Sequence, residues 1–217
     1  IGNCYISSML TYDNKLVIAG DNGRVASYNG TAWTAYNAGS GLCNSGTALW
    51  SGYWIYAIVV YGEYLVVSGD YGLVASCNYD GVSDYDWISC DGDGDGTGPY
   101  HDGTTININN DEDPDWNSTL MMTVYNNKLI LLGELGRVAS FDGTNWKEYD
   151  GDGTGTGPYN GGDIFGSING WAGALAVSGL NLIASGRLGR TASVDGTNWK
   201  NYDGTGTGTG PYDNGTI

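Results

Sequence analysis

Positive charge is scarce in this chain of 217 residues: eight lysines and arginines stand against 24 aspartates and glutamates, for a formal net charge of −16. A surface of that sign repels phosphate groups and anionic headgroups, so we expect neither nucleic acid nor a membrane surface as a partner. No apolar run reaches the roughly 18 residues of a membrane-spanning helix, which argues against membrane insertion. Cations are the more natural ligands of this chain.

Catalytic residue types are also few. His101 is the one histidine, and no serine stands at a spacing that marks the nucleophile of a triad. Arg24, Arg137 and Arg190 recur at one repeat position, which is typical of a structural contact made three times. We therefore predict that the protein is not an enzyme, and a glycan-active hydrolase is the third-ranked function.

Cysteine is limited to four residues, and lysine is rare in a chain rich in Gly, Thr, Asn and Tyr. This combination favours an oxidising compartment, so we predict an extracellular or cell-surface protein. Four unrelated free thiols are the alternative.

Glycine, by contrast, is abundant, with 38 residues that mostly recur at fixed offsets in a fourfold repeat. Each repeat has an apolar run ending in Gly, then Gly-Arg-Val-Ala-Ser or a close variant, then a turn and a Trp. These anchors occupy residues 23–27, 72–76, 136–140 and 189–193. Asn-Gly and Asp-Gly turns between β-branched and aromatic runs indicate hairpins, so each repeat predicts a small antiparallel sheet.

Four strands fit within one repeat, and no segment shows a capped helical period. In the first repeat we place them at 5–12, Lys15–Gly20, Arg24–Tyr28 and Trp33–Tyr36. Four-stranded units recurring about every fifty residues are typical of a β-propeller. We predict a single all-β domain over residues 1–217, a four-bladed β-propeller with four antiparallel strands per blade. The repeats run approximately over 1–48, 49–105, 106–163 and 164–217.

The two ends of the sequence are in phase, because Gly215-Thr-Ile217 matches the point of the repeat at which residue 1 stands. This phase predicts a ring that is closed or nearly closed by the chain termini. A piece of a longer array is the alternative.

Two stretches of the third repeat carry a family resemblance: Tyr125-Asn-Asn-Lys-Leu129 and Gly136-Arg-Val-Ala-Ser-Phe-Asp-Gly-Thr-Asn-Trp146, with equivalents from Tyr12, Gly23 and Gly189. They resemble the kelch-like propeller repeats of secreted and surface proteins, over nearly the whole chain. Ser193-Val-Asp-Gly-Thr-Asn-Trp199 more weakly resembles the Asp-box of sialidase-type propellers, but is one residue shorter. Both resemblances imply a propeller and neither implies one function, since propellers host many.

An acidic loop in the second repeat is the candidate metal site. Asp91, Asp93 and Asp95 stand at loop positions 1, 3 and 5, a Gly follows, and Asp102 is at position 12. This spacing lets carboxylates wrap one calcium ion, so we predict calcium as the cofactor. The alternative is a hairpin or Ω-loop whose glycines serve the backbone.

Gly-Thr-Gly-Pro-Tyr loops end the second, third and fourth repeats at Tyr100, Tyr159 and Tyr212. Displayed on one rim, such tyrosines could stack on sugar rings, which makes them candidate glycan-binding residues. The alternative is that each tyrosine packs its own loop onto the blade.

The cysteines and three asparagines are candidate modification sites. Cys77 and Cys90 fall on adjacent strands of one repeat, where facing residues come close enough for a disulfide. We predict a Cys77–Cys90 bridge, which leaves Cys4 to pair with Cys43; pairing of either with a neighbouring subunit is the alternative. Candidate N-glycosylation sites are Asn29, Asn117 and Asn214.

Together these features favour an extracellular structural protein, a self-assembling propeller subunit of a filament, sheath or surface layer. We expect a homo-oligomer or polymer formed through blade edges. The alternative function is a glycan-binding adhesin or lectin-like module that uses the Gly-Thr-Gly-Pro-Tyr loops.

Overall fold

Four small antiparallel sheets make up the part of the chain that the computed structural model describes, namely residues 5–36, 54–70, 74–78, 88–90, 119–133, 138–144, 146–149, 172–186, 191–194 and 199–202. Each sheet takes four strands in chain order. The strands are β1 Ile6–Tyr12, β2 Lys15–Gly20, β3 Arg24–Tyr28 and β4 Trp33–Tyr36 in the first sheet; β5 Ile55–Tyr61, β6 Tyr64–Gly69, β7 Val74–Asn78 and β8 Ile88–Cys90 in the second; β9 Thr119–Tyr125, β10 Lys128–Gly133, β11 Val138–Phe141 and β12 Trp146–Tyr149 in the third; and β13 Ala172–Ser178, β14 Asn181–Gly186, β15 Thr191–Val194 and β16 Trp199–Tyr202 in the fourth. The prediction of an all-β chain is confirmed for these residues, and β1 begins one residue later than expected.

Tight turns join the first two strands of every sheet. Asp13 and Asn14 in the first sheet have φ of 48° and 56°, the left-handed values that a two-residue hairpin turn needs at both central positions. Gly62 fills the first turn position of the second sheet with φ of 61°. Asparagine, aspartate and glycine adopt this backbone region at least cost, which is why the turns fall where these residues stand.

A shift in register interrupts the first strand of the sheets. In the first sheet it lies between Ile6 and Ser8, and in the second between Ile55 and Ala57. Because neighbouring side chains of a strand alternate between faces, one extra residue changes which face the start of the strand presents. Ile55 therefore packs in the same cluster as Ile58.

The core lies between successive sheets, in three separate clusters. The first joins the first and second sheets, the next joins the second and third, and the last joins the third and fourth. Their buried members are Val17, Ala19, Val25, Ile55, Ile58, Leu65, Val67, Ala75 and Cys77; Val66, Val74, Leu129, Leu131, Ala139 and Phe141; and Tyr125, Ile130, Leu132, Val138, Leu182, Ala184 and Val194. None of these clusters, within the described ranges, joins the fourth sheet to the first, so ring closure stays a prediction.

Candidate functional site

A tyrosine at the end of the first strand connects each of the first three sheets to the next one. The Tyr12 hydroxyl donates to the backbone carbonyl of Glu63 at 2.9 Å, and the Tyr61 hydroxyl donates to that of Asn127 at 3.1 Å. The Tyr125 hydroxyl donates in the same way to the carbonyl of Leu180. Each acceptor is the second residue of the hairpin turn in the following sheet. We call this repeated hydrogen bond the tyrosine contact.

The tyrosine contact is a feature that residue-by-residue sequence reasoning missed. Its signal was present, because a tyrosine directly precedes the Asp-Asn, Gly-Glu and Asn-Asn turns of three repeats. The fourth repeat has Ser178 at this position, before Gly179 and Leu180. A serine hydroxyl is too short to replace the phenol, so the fourth sheet cannot make the same contact.

A groove of about 540 Å³ opens between the second and third sheets around the tyrosine contact of Tyr61. Its wall combines aromatic rings, turn backbone and one carboxylate. The lining residues are Tyr61, Gly62, Glu63, Tyr64, Val124, Asn127, Phe141 and Gly143. The Tyr61 ring meets Phe141 edge to face, with ring centroids 6.3 Å apart. Such contacts stabilise aromatic pairs beyond simple burial, so this end of the groove is a packed seam.

Burial raises the pKa of the Tyr61 phenol above its ordinary value of 10.0, and the nearby Asp142 carboxylate raises it further. Both causes disfavour the phenolate, the first by desolvation and the second by charge repulsion. The Tyr61 hydroxyl is therefore protonated at neutral pH and acts as a hydrogen-bond donor. The role of this hydroxyl is structural, because its hydrogen bond to Asn127 connects the second sheet to the turn of the third sheet.

Apolar side chains lie exposed at the two ends of the stack of sheets. On the first sheet Ile6 is 51% and Met9 is 65% exposed. The residues at the same register positions of the second sheet, Ile55 and Ile58, are 0% and 7% exposed because the first sheet covers them. On the fourth sheet Ala174 and Ala176 of β13 are exposed, and Leu180, in the β13–β14 turn, is 82% exposed. Among the strands that the structure describes, none packs on this apolar face of the first sheet.

An aromatic row runs across the seam between the first and second sheets. The rings of Tyr5 and Trp54 stack with centroids 5.6 Å apart, and Trp54 stacks on Tyr56 at 6.1 Å. The Trp54 backbone N–H donates to the Asp70 carboxylate at 2.6 Å, which fixes the start of β5 against the end of β6. The rings of this row stack on one another, which indicates structural packing between the two sheets.

Most of the predicted ligand residues lie outside the described residues. They are the calcium candidates Asp91, Asp93, Asp95 and Asp102; the glycan candidates Tyr100, Tyr159 and Tyr212; the cysteines Cys4 and Cys43; and the asparagines Asn117 and Asn214. In the ranges that the structure covers, no group of three or more His, Cys, Asp or Glu side chains is arranged to hold a metal. The calcium site and the glycan site both stay predictions.

The cysteines of the second sheet lie on adjacent strands, as predicted, but not at facing positions. Cys90 pairs across the sheet with Val74, and Cys77 lies three residues further along β7. Cys77 is buried and takes part in a disulfide. The register does not by itself bring Cys90 to it, so the Cys77–Cys90 bridge stays a prediction.

Asn29 occupies a turn in which its side chain already has a structural role. Its Oδ1 accepts hydrogen bonds from the backbone N–H groups of Thr31 at 3.0 Å and Ala32 at 2.9 Å. Asp142 accepts from the Thr144 N–H in the equivalent turn of the third sheet. An asparagine is therefore favoured here for the turn alone, and glycosylation of exposed Asn29 stays a prediction.

Among the residues that the structure describes, no helix is long and apolar enough to span a bilayer.

Comparison with known proteins gives a fold and no family. No family model and no curated protein matches the chain. A solved structure of YCF48 bound to D1 peptide, a β-propeller, matches with a TM-score of 0.56 and 14% identity, over 93% of this chain and 54% of that one. The computationally designed Ika8 protein matches with a TM-score of 0.33 and 12% identity, over 92% of this chain and 87% of that one. The chain spans about half the length of the YCF48 chain, and it has a propeller-like fold; the kelch-like resemblance stays a prediction.

Proposed function

We propose that the chain is an extracellular structural protein, a four-bladed propeller subunit that assembles with further copies into a filament, sheath or surface layer. The observation that carries the proposal is the apolar face of the first sheet, on which Ile6 and Met9 lie exposed. In the second, third and fourth sheets the equivalent face is covered by the preceding sheet. An uncovered apolar face of this kind marks an interaction surface.

Two further observations support the proposal. The disulfide at Cys77 fits an oxidising compartment, since disulfides persist outside the cytosol. The groove at Tyr61 has packed aromatic rings at one end, and its phenol donates a hydrogen bond to the neighbouring sheet, which suits a scaffold. An assembly role uses the features that are present without requiring a reaction.

Electron microscopy of the purified 217-residue chain tests the proposal, together with light scattering over a range of protein concentrations. We expect regular polymers or discrete oligomers whose mass grows with concentration. Monomers at every concentration, together with binding on a glycan array, would contradict an assembly role and support the lectin-like alternative.

A further inference from the structure

We propose that the first sheet of one copy binds the fourth sheet of a second copy, head to tail, through the same kind of contact that joins successive sheets within the chain. This inference rests on the proposed function and names its surfaces. The first end face consists of Ile6, Met9 and Leu16. The fourth end face consists of Ala174, Ala176 and Ile183.

The first end face repeats, position by position, the surface on which a preceding sheet packs elsewhere. Leu16 stands at the position of Leu65, Leu129 and Leu182, which are all 0% exposed, whereas Leu16 itself is half-buried. Met9 likewise stands at the position of Ile58, which lies in the cluster between the first two sheets. The first sheet therefore has the residues of a sheet-to-sheet contact, and no described strand completes that contact.

The fourth end face corresponds to the surface that, in the other sheets, is covered by the following sheet. Ile183 corresponds to Val17, Val66 and Ile130, each 0% exposed beneath the following sheet, whereas Ile183 is half-buried. Ala174 and Ala176 are exposed and alternate along β13 with Leu175, which packs toward the third sheet. This face is the described surface on which a following sheet would pack. Its natural complement is the surface that receives a preceding sheet, and the first end face is that surface.

The repeat also identifies which apolar side chains of the two faces would meet. In the contact between the first two sheets, Leu10 of β1 packs in one cluster with Ile58 of β5. Ala176 has the position of Leu10, and Met9 has that of Ile58. The pair of Met9 and Ala176 is smaller than the pair of Leu10 and Ile58, but both of its members are apolar, and the flexible methionine can adapt to the space beside the alanine.

The contact between copies would lack the tyrosine contact, because Ser178 replaces the tyrosine of the other sheets. Its acceptor position is retained, since Asn14 is the second residue of the β1–β2 turn, with φ of 56°. We therefore expect association between copies to be weaker than packing within the chain, and reversible. A head-to-tail contact of this kind forms a ring when the rotation closes and a filament when it does not.

Two charge variants test the orientation of the contact. Met9→Asp disables the first end face and leaves the fourth intact, and Ala176→Asp does the opposite. We expect each variant alone to sediment as a monomer, and an equimolar mixture to form a 1:1 dimer that grows no further. Thr34→Asp, which adds the same charge at an exposed position of β4, is the matched control and should assemble as the unaltered chain does.

Ser178→Tyr provides a gain-of-function test. It restores the phenol, and one added hydrogen bond should lower the dissociation constant between copies by roughly 3- to 10-fold. Ser178→Phe adds the ring without the hydroxyl and should fall short of that gain.

The possible results separate this inference from the proposed function. An unaltered chain that stays monomeric overturns both, and a monomer made less stable by Met9→Asp would indicate closure within one chain. Assembly that survives both charge variants overturns only the head-to-tail contact. Assembly that is lost in Met9→Asp but retained in Ala176→Asp indicates first sheets meeting each other, which also overturns it.

Discussion

Single hydroxyl groups hold neighbouring sheets in position, and Tyr61 offers the clearest case. Tyr61→Phe removes the donor to the Asn127 carbonyl while leaving the ring against Phe141. Because the Asn127 carbonyl loses its protein partner and the two sheets lose a connection, we expect the free energy of unfolding to fall by about 1 kcal/mol. Urea denaturation followed by tryptophan fluorescence measures this change.

The matched control for Tyr61→Phe is Tyr28→Phe. The Tyr28 hydroxyl donates to the Gly30 carbonyl at 2.8 Å, within its own exposed turn and not between sheets. Its removal should change the free energy of unfolding by less than about 0.5 kcal/mol. Equal losses in the two variants would show that the tyrosine contact contributes nothing beyond an ordinary local bond.

The raised pKa of Tyr61 predicts how stability responds to alkaline pH. Burial, and then Asp142, hold the pKa of the folded-state phenol above its unfolded value of 10.0, so the folded chain keeps a proton that the unfolded chain releases. This contribution to stability is fully present below about pH 10 and is lost as the pH rises through the folded-state pKa. Tyrosine ¹³Cζ chemical shifts, with Tyr61→Phe for assignment, should show this phenol titrating later than exposed tyrosines. Titration at or below the ordinary value would contradict the burial argument.

At the scale of elements, the glycine that ends the second strand fixes how closely that strand meets the first. A Cβ on Gly20 would collide with the carbonyl oxygen of Tyr5, the oxygen that accepts the Asp21 N–H at 3.2 Å. Gly20→Ala must therefore push the start of β1 away, and we expect a loss of about 1–3 kcal/mol in the free energy of unfolding. Thermal and urea denaturation both report this loss.

Gly173→Ala is the control at a glycine that has room. Its added Cβ would lie 3.8 Å from the Ser185 carbonyl oxygen, an ordinary contact distance. We expect a change within about 0.5 kcal/mol. If Gly173→Ala lowered the free energy of unfolding as much as Gly20→Ala does, the collision with the Tyr5 carbonyl oxygen would not explain the loss at Gly20.

The strands could be predicted from the sequence because their turns have strong local signals. Asp13 and Asn14 favour the left-handed backbone of a two-residue hairpin turn. The turn therefore sets where β1 ends and where β2 begins. Which face each strand presents could not be predicted in the same way. The register shift between Ile6 and Ser8 changes the face without changing the alternation of residue types. Cys77 and Cys90 do not face each other for a related reason: the repeat places them on adjacent strands but does not determine which residues pair across those strands.

For the whole molecule, the calcium prediction has a simple thermodynamic test. An ion that binds only the folded chain raises its melting temperature, so a chelator should lower it. We expect this shift to disappear in a variant carrying Asp93→Asn and Asp95→Asn, which removes two of the candidate ligands. An identical melting temperature of the unaltered chain with and without chelator would contradict the prediction that the folded chain binds calcium.

The net charge of −16 makes assembly depend on salt in a direction that the proposed contact determines. Two copies repel each other, while the assigned residues of both end faces are uncharged, so no ion pair between those residues opposes the repulsion. Raising NaCl from about 10 mM to about 1 M shortens the screening length from about 30 Å to about 3 Å. We therefore expect the dissociation constant between copies, measured by sedimentation, to fall as salt rises. CaCl₂ at equal ionic strength separates screening from a specific effect of calcium. Weaker association at high salt would mean that charge pairs hold the copies together, and that the contact lies elsewhere than on these two apolar faces.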